Sequence, residues 1–467
     1  MDQTHFELVV IGGGPGGYAA ALYAASAGMS VALIEQDKVG GTCLHRGCIP
    51  AKEFLETAAV VRAVKSAGEF GVVVEPKALD WPLVLQRKQE VIDKLFGGVS
   101  QLLKGRKVTV LNGVGSLGAN HTVNVRSDSG ESATLTGDAV ILATGSVPRV
   151  IPGFEPGGPV VTSDEFFSIQ QVPYRSVVIG GGAIGCEFAS TLADLGSQVT
   201  MLEALPKILP GCDDDVTRVV GQSFKKKGID IRTGVTVHGH TPNGVGGTVV
   251  SFGDGETAEC ELVVVSVGRR PLTGGVLEPG TAVQVTDRGH IDVDEHYRTH
   301  EPGVWAVGDV IDSPQLAHVA FAEGICVVKD VLGESPAPVD NGTVPWAIYC
   351  NPEVAFAGHS EASAKEAGFD VVTSRHRFAG NSRAIIIGET DGMVKVIAER
   401  GPDGRAGRIL GVHMVGPWVT EQLSGGYLAV NWQATVDEVA EFLQPHPSLS
   451  ELFGETVLSM TGRSLHG

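Results

Sequence analysis

The same pattern occurs twice in this chain, as ELVVIGGGPGGYAAALYAASAGMSVALIE at 7–35 and as SVVIGGGAIGCEFASTLADLGSQVTMLE at 176–203. Each copy is an apolar run, a glycine turn, an alanine-rich stretch and a second apolar run. The glycines have GxGxxG spacing, at Gly12, Gly14 and Gly17 in the first copy and at Gly180, Gly182 and Gly185 in the second. The closing glutamates, Glu35 and Glu203, each stand eighteen residues after the last of these glycines. A strand, a glycine turn, a helix and an acidic residue at this distance are the fingerprint of a dinucleotide-binding unit.

The repeat predicts an α/β protein with two Rossmann-like dinucleotide-binding domains. Glycines let backbone N–H groups and a helix N-terminus approach a pyrophosphate, and the glutamate accepts hydrogen bonds from a ribose diol. Two copies indicate two bound dinucleotides, or one dinucleotide and one relic. Because the carboxylate of Glu203 would repel a 2′-phosphate, the second copy favours NAD over NADP. Lys207 lies nearby and is interpreted as a solvated surface lysine.

Two later segments belong with the first copy. AVILATGSVPRVIPG, at 139–153, is interpreted as a buried strand that ends in a tight turn, and GVWAVGDV, at 303–310, as a strand that closes on Gly308 and Asp309. An acidic residue at the carboxyl end of a strand in a nucleotide-binding sheet faces the ligand crevice. Asp309 is therefore predicted to bind a sugar or ribityl hydroxyl, although aspartate after glycine is also common in ordinary turns.

The C-terminal part of the chain has a different pattern. DGMVKVIAERGPDGRAGRILGVHMVG, at 391–416, predicts two strands around a Gly-Pro-Asp-Gly turn. SEASAKEAG, at 360–368, and PHPSLSELFGE, at 445–455, are interpreted as helical stretches. We therefore predict a separate C-terminal α+β domain. In the first part of the chain, Asp80 predicts the start of an amphipathic helix that runs to Lys104.

GGTCLHRGCIPAK, at 40–52, contains Cys43 and Cys48, two of the seven cysteines of the chain. Residues five positions apart in a regular α-helix are about 7.5 Å apart along its axis, whereas a disulfide requires Cα atoms within roughly 4.4–6.8 Å. If the two cysteines form a disulfide, the segment between them is not a regular helix, and Gly47 supplies the break. A disulfide that closes so small a loop stabilises little and suits exchange chemistry. The alternatives are two unrelated thiols or half of a metal site, but zinc normally takes two further ligands.

Thiol–disulfide exchange also needs a base. A free thiol has a pKa near ~8.5 and is mostly protonated at neutral pH, so another group must accept its proton. HPSLSE, at 446–451, supplies His446, which titrates in the right range, and Glu451, whose carboxylate can fix the imidazole tautomer. His446 is therefore a candidate base. The alternative for a histidine beside proline is a structural turn.

The overall composition narrows the class of protein. With 35 Lys and Arg against 54 Asp and Glu the net charge is −19, which argues against nucleic acid because phosphate binding needs clustered cations. The N-terminal segment has no basic leader, and GGGPGG interrupts its apolar run, so we expect neither a signal peptide nor a membrane span. Thinly spread cysteines indicate reduced thiols, and we expect a cytoplasmic protein without a bound metal.

Taken together, GGTCLHRGCIPAK, the two GxGxxG units, the ATG and GD segments and PHPSLSE resemble the pyridine nucleotide–disulfide oxidoreductase family, and within it the dihydrolipoyl dehydrogenases. The resemblance implies FAD on the first glycine unit, NAD on the second, and a homodimer whose C-terminal domains complete each other's active sites. It also implies that lipoyl domains of a 2-oxo acid dehydrogenase or glycine-cleavage complex deliver dihydrolipoamide, with NAD⁺ as the acceptor. The predicted domains are FAD-binding at 1–150 with a return at 276–345, NAD-binding at 151–275, and interface at 346–467.

The resemblance gives roles to the four residues of the exchange chemistry. Cys43 resembles the thiol that exchanges with the dithiol substrate, and Cys48 resembles the thiolate that contacts the flavin. His446 resembles the catalytic base, and Glu451 the carboxylate that orients it. In the family these two reach the cysteines across the dimer.

Cofactor contacts are implied in the same way. Lys52 and Glu187 resemble an ion pair beside the flavin, and Glu35 and Asp309 resemble the residues that hold the ribose and the ribityl chain of FAD. The full set of predicted cofactor-binding residues is Gly12, Gly14, Gly17, Glu35, Lys52, Thr144, Gly145, Asp309, Ala317, Gly180, Gly182, Gly185, Glu203 and Gly268.

Four positions depart from the family pattern. His45, Arg46, Ala51 and Asn351 stand where many members have Asn, Val, Ser and His. The first two are interpreted as added charge near the disulfide, which could shift its potential or its substrate preference. None of the four removes a group that the mechanism requires.

Three other functions stay open at this point. The first is a reductase of glutathione or another small disulfide, which Glu203 disfavours because such enzymes usually use NADPH. The second is a flavin-dependent quinone reductase in which the cysteines are idle. The third is a flavin-stabilised scaffold without activity that docks into a multienzyme assembly.

Overall fold

A computed structural model describes residues 4–75, 78–127, 129–244 and 246–466. The first part of the chain contains β1 (His5–Ile11), α1 (Pro15–Ser26), β2 (Val31–Glu35), α2 (Gly41–Arg46), α3 (Cys48–Ser66), α4 (Trp81–Gly105), β3 (Thr109–Asn112), β4 (Val114–Leu117), β5 (Thr122–Arg126), β6 (Ser132–Leu142) and β7 (Ser146–Pro148). The middle part contains β8 (Val160–Thr162), α5 (Ser163–Phe166), β9 (Arg175–Ile179), α6 (Ala183–Asp194), β10 (Gln198–Glu203), α7 (Asp214–Lys226), β11 (Asp230–Thr233), β12 (Val237–Pro242), β13 (Thr248–Phe252), β14 (Glu256–Cys260), β15 (Leu262–Val265) and β16 (Arg269–Pro271). The last part contains β17 (Val304–Ala306), α8 (Ala317–Val331), β18 (Trp346–Ile348), β19 (Glu353–Gly358), α9 (Glu361–Glu366), β20 (Val371–Arg377), α10 (Ser382–Ile387), β21 (Met393–Arg400), β22 (Ala406–Gly416), α11 (Val419–Asn431), α12 (Val436–Ala440) and α13 (Glu451–Ser459).

The first sheet is built around the first sequence repeat. Its strands have the order β3-β2-β1-β6, and β17 pairs in parallel with the second half of β6. The first half of β6 pairs antiparallel with β5, and β5 with β4. The parallel strands are continuous apolar runs, such as the fully buried VALIE of β2, because helices cover both faces of such a sheet. Their carboxyl ends meet at one edge, which brings the first glycine turn, Glu35 and the Gly308–Asp309 turn together.

The second sheet repeats this arrangement. Its order is β11-β10-β9-β15-β8, and the pairings are parallel. The unit β9–α6–β10 corresponds to β1–α1–β2, and the helices α1 and α6 each have twelve residues. A small antiparallel sheet, β12-β13-β14, contacts β9. The prediction of two Rossmann-like units is confirmed.

The third sheet is antiparallel, with the order β18-β19-β22-β21-β20, and α11 and α13 pack against it. The predicted hairpin is confirmed as β21 and β22, and the helix predicted at 360–368 as α9. The helix predicted at 445–455 is wrong in its first half, because α13 begins only at Glu451. Pro445 and Pro447 explain the difference: proline donates no N–H and moves the preceding residue out of the helical region.

The amphipathic helix predicted from Asp80 is confirmed as α4. Asp80 caps it by accepting a hydrogen bond from the Leu83 N–H at 3.1 Å. Helix α3, which carries Cys48 and Lys52, contacts both α4 and α6 and so links the first unit to the second. Every helix in the described part of the chain is too short or too polar to cross a membrane.

Candidate functional site

The two glycine turns have the same backbone conformation. Gly12 has φ +107° and Gly180 has φ +104°, a region that favours glycine. A Cβ on the last glycine of either turn, Gly17 or Gly185, would come within 1.8 or 1.9 Å of the carbonyl oxygen of the first glycine. In contrast, a Cβ on Gly14 would meet nothing within 4 Å. Open space therefore lies at the N-terminus of α1, where a pyrophosphate fits.

The two glutamates also match. The carboxylate of Glu35 accepts hydrogen bonds from the Gly13 N–H and from the N–H two residues after the glutamate, at 2.7 and 2.8 Å. Glu203 accepts from the Gly181 N–H and from the corresponding later N–H, at 2.5 and 2.7 Å. Each carboxylate is 8% exposed and stands at the end of its strand beside the glycine turn. Both are placed to receive ribose hydroxyls.

Replacing Glu203 by serine and Leu205 by arginine is expected to shift the cofactor preference from NAD⁺ towards NADP⁺. The change removes a carboxylate that repels a 2′-phosphate and adds a cation that binds one. Leu205 is 47% exposed, so an arginine fits there. We expect the ratio of kcat/KM for NAD⁺ over NADP⁺ to fall at least about tenfold.

Lys207→Ala is the control for this experiment. Lys207 is paired with Asp214 and donates to the Cys212 carbonyl oxygen at 3.3 Å, so its loss should not move the ratio. An unchanged ratio in the double variant would contradict the assignment of Glu203 to a ribose.

The glycine pair before the cysteines places them against the first glycine turn. The Gly40 N–H donates to the Gly13 carbonyl oxygen at 2.8 Å. Gly41 has φ +56°, and a Cβ there would come within 2.7 Å of the Gly14 Cα. Only glycine allows α2 to start this close to the turn. Helix α2 ends at Arg46 and α3 begins at Cys48, so Gly47 separates the two helices, which confirms the predicted break between the two cysteines.

Cys43 and Cys48 are partly buried thiols in this structure and contact each other. Their mutual hydrogen bond raises the pKa of Cys43, together with burial. The same bond lowers the pKa of Cys48; burial opposes this and the Lys52 ammonium adds to it. The two pKa values therefore shift in opposite directions, which favours the thiol form of Cys43 and the thiolate form of Cys48. Within the described residues no three His, Cys, Asp or Glu side chains are arranged as metal ligands.

Lys52 and Glu187 are brought together from the first and second units. Lys52 Nζ donates to the two carboxylate oxygens at 2.9 and 3.0 Å. Burial disfavours the charged amine, but the Glu187 carboxylate outweighs it, so the pKa of Lys52 is raised. This ion pair lies one helical turn from Cys48 and supplies a fixed positive charge beside the thiolate.

Asp309 lies beside residues that the sequence patterns did not single out. Its Oδ2 accepts a hydrogen bond from the Ser146 hydroxyl at 2.5 Å, and Arg269 donates to the same hydroxyl at 2.7 Å. Among hydrogen bonds of the described residues none uses Asp309 Oδ1, so the predicted bond to a ligand hydroxyl stays a prediction. Beneath the turn, the buried Glu323 accepts the Gly308 N–H at 2.6 Å, and burial raises the pKa of Glu323 to about 7. The one sequence signal for Ser146 and Arg269 was their position, directly after the predicted cofactor-binding residues Gly145 and Gly268.

The remaining predicted cofactor contacts lie around the same edge. The Thr144 hydroxyl donates to the Leu272 carbonyl oxygen at 2.7 Å, and the Leu272 N–H donates to the Gly145 carbonyl oxygen at 2.9 Å. Gly145 and Gly268 have φ of +72° and +100°. These bonds and the pairing of β7 with β16 hold the two turns together. Ala317 is the first residue of α8.

His446 and Glu451 form a pair on the unit of the third sheet. His446 Nδ1 lies 2.7 Å from Glu451 Oε1, and the other carboxylate oxygen accepts the Ser448 N–H at 2.7 Å. The histidine side chain is 69% exposed. No hydrogen bond or ion pair of the described residues joins this pair to the cysteines of the same chain.

The unusual residues after Cys43 contact the loop that follows β2 and a residue of α4. His45 Nε2 is 2.9 Å from the Val39 carbonyl oxygen, and its ring meets Phe96 edge-on at 5.5 Å. Arg46 pairs with Asp37 at 3.0 Å. Both side chains therefore tie α2 to the loop after β2. The Arg46 guanidinium is paired with Asp37, and the effect of this charge on the disulfide stays a prediction.

Two dinucleotide cradles and a redox-suited cysteine pair define a disulfide oxidoreductase that uses two dinucleotides. Residues 6–324 match the pyridine nucleotide-disulphide oxidoreductase family, and residues 344–457 match its dimerisation domain. The chain belongs to the pyridine nucleotide-disulphide oxidoreductase family. Its cofactors are FAD and NAD, as predicted, and the dimerisation domain supports the predicted homodimer.

Similar proteins match along nearly the whole chain. The dihydrolipoyl dehydrogenase of Bacillus subtilis (strain 168) is 41% identical over 99% of this chain and 99% of its own, and that of Haloferax volcanii is 38% identical over 99% and 98%. LpdA from Mycobacterium tuberculosis is 27% identical with a TM-score of 0.90, covering 98% of this chain and 99% of its own. The Cu(II) complex of the HOCl-induced flavoprotein disulfide reductase RclA from Escherichia coli is 26% identical with a TM-score of 0.87, covering 98% and 100%.

Proposed function

We propose that this chain is a dihydrolipoyl dehydrogenase, which oxidises protein-bound dihydrolipoamide to lipoamide and passes the electron pair through FAD to NAD⁺. The observation that carries the proposal is the cysteine pair beside the first glycine turn, whose two pKa values are shifted in opposite directions. This asymmetry suits one sulfur for exchange with a substrate and the other for a stable thiolate. The named relatives at 38–41% identity support the dithiol substrate.

In the half-reaction that oxidises the dithiol substrate, the protein starts with the Cys43–Cys48 disulfide. One thiolate of the substrate attacks Cys43, the disulfide breaks, and Cys48 leaves as a thiolate. The second substrate sulfur then attacks the sulfur bound to Cys43, which releases the cyclic disulfide and leaves Cys43 reduced. The substrate has lost two electrons and the cysteine pair has gained them. FAD would be held beside the first glycine turn and, when bound, would supply the two-electron chemistry that links the reduced cysteine pair to NAD⁺.

We propose that His446 of the partner subunit accepts the proton of the first substrate thiol. Glu451 of the partner subunit orients this histidine. The raised pKa of Cys43 supports the need for a base, because that sulfur holds its proton when reduced. The exposure of the histidine on the dimerisation domain supports a position facing a second subunit. Lys52 and Glu187 are assigned to the flavin edge, next to the Cys48 thiolate.

We also propose the domain limits 1–150 with 276–345, 151–275 and 346–467. The return of β17 to the first sheet supports the second segment of the FAD-binding domain. Lipoyl domains of a 2-oxo acid dehydrogenase or glycine-cleavage complex are the proposed partners, and the cytoplasm the proposed location. The names of the relatives support the lipoyl partner.

Holoenzyme supplied with dihydrolipoamide and NAD⁺ is expected to form NADH. Cys48→Ser should lower this turnover by more than about 10³-fold, because it removes the thiolate that receives the electrons. Cys326→Ser is the matched control: it removes a buried thiol of α8 that contacts only the Ala337 carbonyl oxygen among its described hydrogen bonds, and should retain turnover.

The same assay separates the other functions. Lack of NADH formation with FAD bound would reject the dithiol substrate. Faster turnover of NADPH with glutathione disulfide than of NAD⁺ with dihydrolipoamide would identify a small-disulfide reductase. Quinone reduction that survives Cys48→Ser would identify a flavin-only activity, and partner binding without any turnover would identify a scaffold.

A further inference from the structure

Tyr349 lies against the Lys52–Glu187 pair and comes from a third part of the fold. It follows β18, the first strand of the third sheet. Lys52 Nζ is 4.5 Å from the centroid of its ring. The backbone N–H of Tyr349 donates to Glu187 Oε1 at 2.9 Å. The same oxygen accepts a hydrogen bond from Lys52 Nζ at 2.9 Å. One residue of the dimerisation domain therefore contacts both members of the ion pair.

The position of Tyr349 is fixed by its neighbours in the chain. Two residues later, the Asn351 N–H donates to the Ser190 hydroxyl at 2.9 Å. Glu187 and Ser190 are three positions apart on α6 and so lie on one face of that helix. Cys350, between the two attachment points, is fully buried. The backbone at Tyr349 is thus fixed between the end of β18 and helix α6.

An aromatic ring in this place has a definite effect on a lysine. The Lys52 side chain is 35% exposed, so its ammonium would otherwise be free to turn towards water. The face of a tyrosine ring attracts an ammonium electrostatically and does so without using one of its N–H donors. The ring therefore restricts the ammonium while both of its described hydrogen bonds to Glu187 remain in place.

We propose that Tyr349 is a positioning residue: its ring fixes the Lys52 ammonium, and its N–H fixes the Glu187 carboxylate, beside the cysteine pair. The dimerisation domain then sets the charge next to the cysteines of its own subunit, in addition to supplying the histidine pair. The inference rests on the proposed function in one respect, because it takes Cys48 to be the thiolate of the pair.

The charge around Cys48 comes from four elements. Cys43 on α2 donates the hydrogen bond that lowers the pKa of Cys48, and Lys52 on α3 lowers it further. Burial and the Glu187 carboxylate on α6 act in the opposite direction. The Tyr18 hydroxyl on α1 is near both thiols, and its own pKa is raised to about 12, so it is neutral. If Lys52 moves away, burial and Glu187 remain, and the pKa of Cys48 must rise.

The test measures the titration of Cys48 and needs no turnover. In holoprotein carrying Cys43→Ser, the rate of alkylation of Cys48 by iodoacetamide is followed against pH by mass spectrometry of the Cys48 peptide. Tyr349→Leu is expected to raise the apparent pKa of Cys48 by about half a unit to one unit. Tyr349→Phe keeps the ring and is expected to leave it unchanged.

Two results would overturn the inference. One is an unshifted Cys48 pKa in folded Tyr349→Leu protein, and the other is an equal shift in Tyr349→Phe. If the leucine variant does not fold, fluorinated phenylalanines at 349 weaken the ring face and keep its shape, and the pKa should rise with each fluorine. A flat fluorine series would also contradict the inference. If wild-type holoprotein does not turn over dihydrolipoamide but Tyr349→Leu shifts the pKa of Cys48, the proposed substrate is rejected and the role of Tyr349 stands.

Discussion

A random mixture of Cys48→Ser and His446→Gln subunits is expected to regain about a quarter of the wild-type turnover, although each variant alone is nearly inactive. Loss of the base alone should cost about 10²–10⁴-fold. In a two-fold dimer, a mixed pair combines the intact cysteines of one subunit with the intact histidine of the other and so rebuilds one site of two. Random assortment makes about half of the dimers mixed, which gives the quarter.

The physical reason is the placement of the histidine pair. His446 and Glu451 are 2.7 Å apart on a unit that is separate from the cysteine helices, and the described contacts of the chain do not join them to Cys43 or Cys48. A base that does not contact a thiol cannot accept its proton directly. We therefore expect a second subunit to cover this surface and bring the two halves together.

The measurement uses two affinity tags, so that only mixed dimers are assayed, with about half of the wild-type turnover expected per dimer. His466→Gln is a matched control, because His466 pairs with Glu455 at 3.2 Å and its side chain is also 69% exposed. It should retain turnover. Mixed dimers as inactive as their parents would place the base in the same subunit as the cysteines.

Local patterns allowed much of the fold to be predicted. The dinucleotide units follow from glycine spacing and apolar runs within some thirty residues, and such short-range patterns leave few alternatives. The break at Gly47 followed from the geometry of a disulfide. The false helix at 445–450 overlooked Pro445 and Pro447, which prevent regular hydrogen bonding there.

The supporting residues of the site could not be predicted in this way. Ser146 and Asp309 are 163 positions apart, and Tyr349 reaches Glu187 across 162 positions. A single serine or tyrosine carries no periodic signal, and its partner is decided only when the sheets assemble. The pairing of Arg46 with Asp37 was not predicted for the same reason, since Asp37 becomes its neighbour only in the folded chain.

Replacing Lys395 by methionine is expected to destabilise the folded protein by about 3–5 kcal/mol. Lys395 is 3% exposed and joins β21 of the third sheet to the unit of the second. Its ammonium contacts three carboxylates, those of Asp213, Asp215 and Glu361, at 2.8–3.0 Å. Methionine fills a similar volume but leaves these charges without their shared cation. Arg375 reaches only Asp215, at 2.9 Å, so the buried Asp213 loses its cation altogether.

Chemical unfolding followed by circular dichroism measures the change, and Lys226→Met is the control. Lys226 also joins the second unit to the third, through Asp391 at 2.7 Å, but the two side chains are 66% and 55% exposed. Water screens this pair, so its loss should cost less than about 1 kcal/mol. Equal losses in the two variants would show that burial does not decide the strength of these contacts.

The pH dependence separates unpaired charge from lost packing. Burial raises the pKa values of Asp213 and Asp215, but Lys395 outweighs it, so both lie below their ordinary values. A carboxyl group with a lowered folded-state pKa stabilises the protein above its unfolded pKa, and the wild type should lose this contribution below about pH 4. Without Lys395, burial favours the neutral carboxyl groups, which take up protons at higher pH. The loss of unfolding free energy in Lys395→Met, relative to the wild type, should therefore shrink between about pH 7 and about pH 5. A constant loss would attribute it to packing.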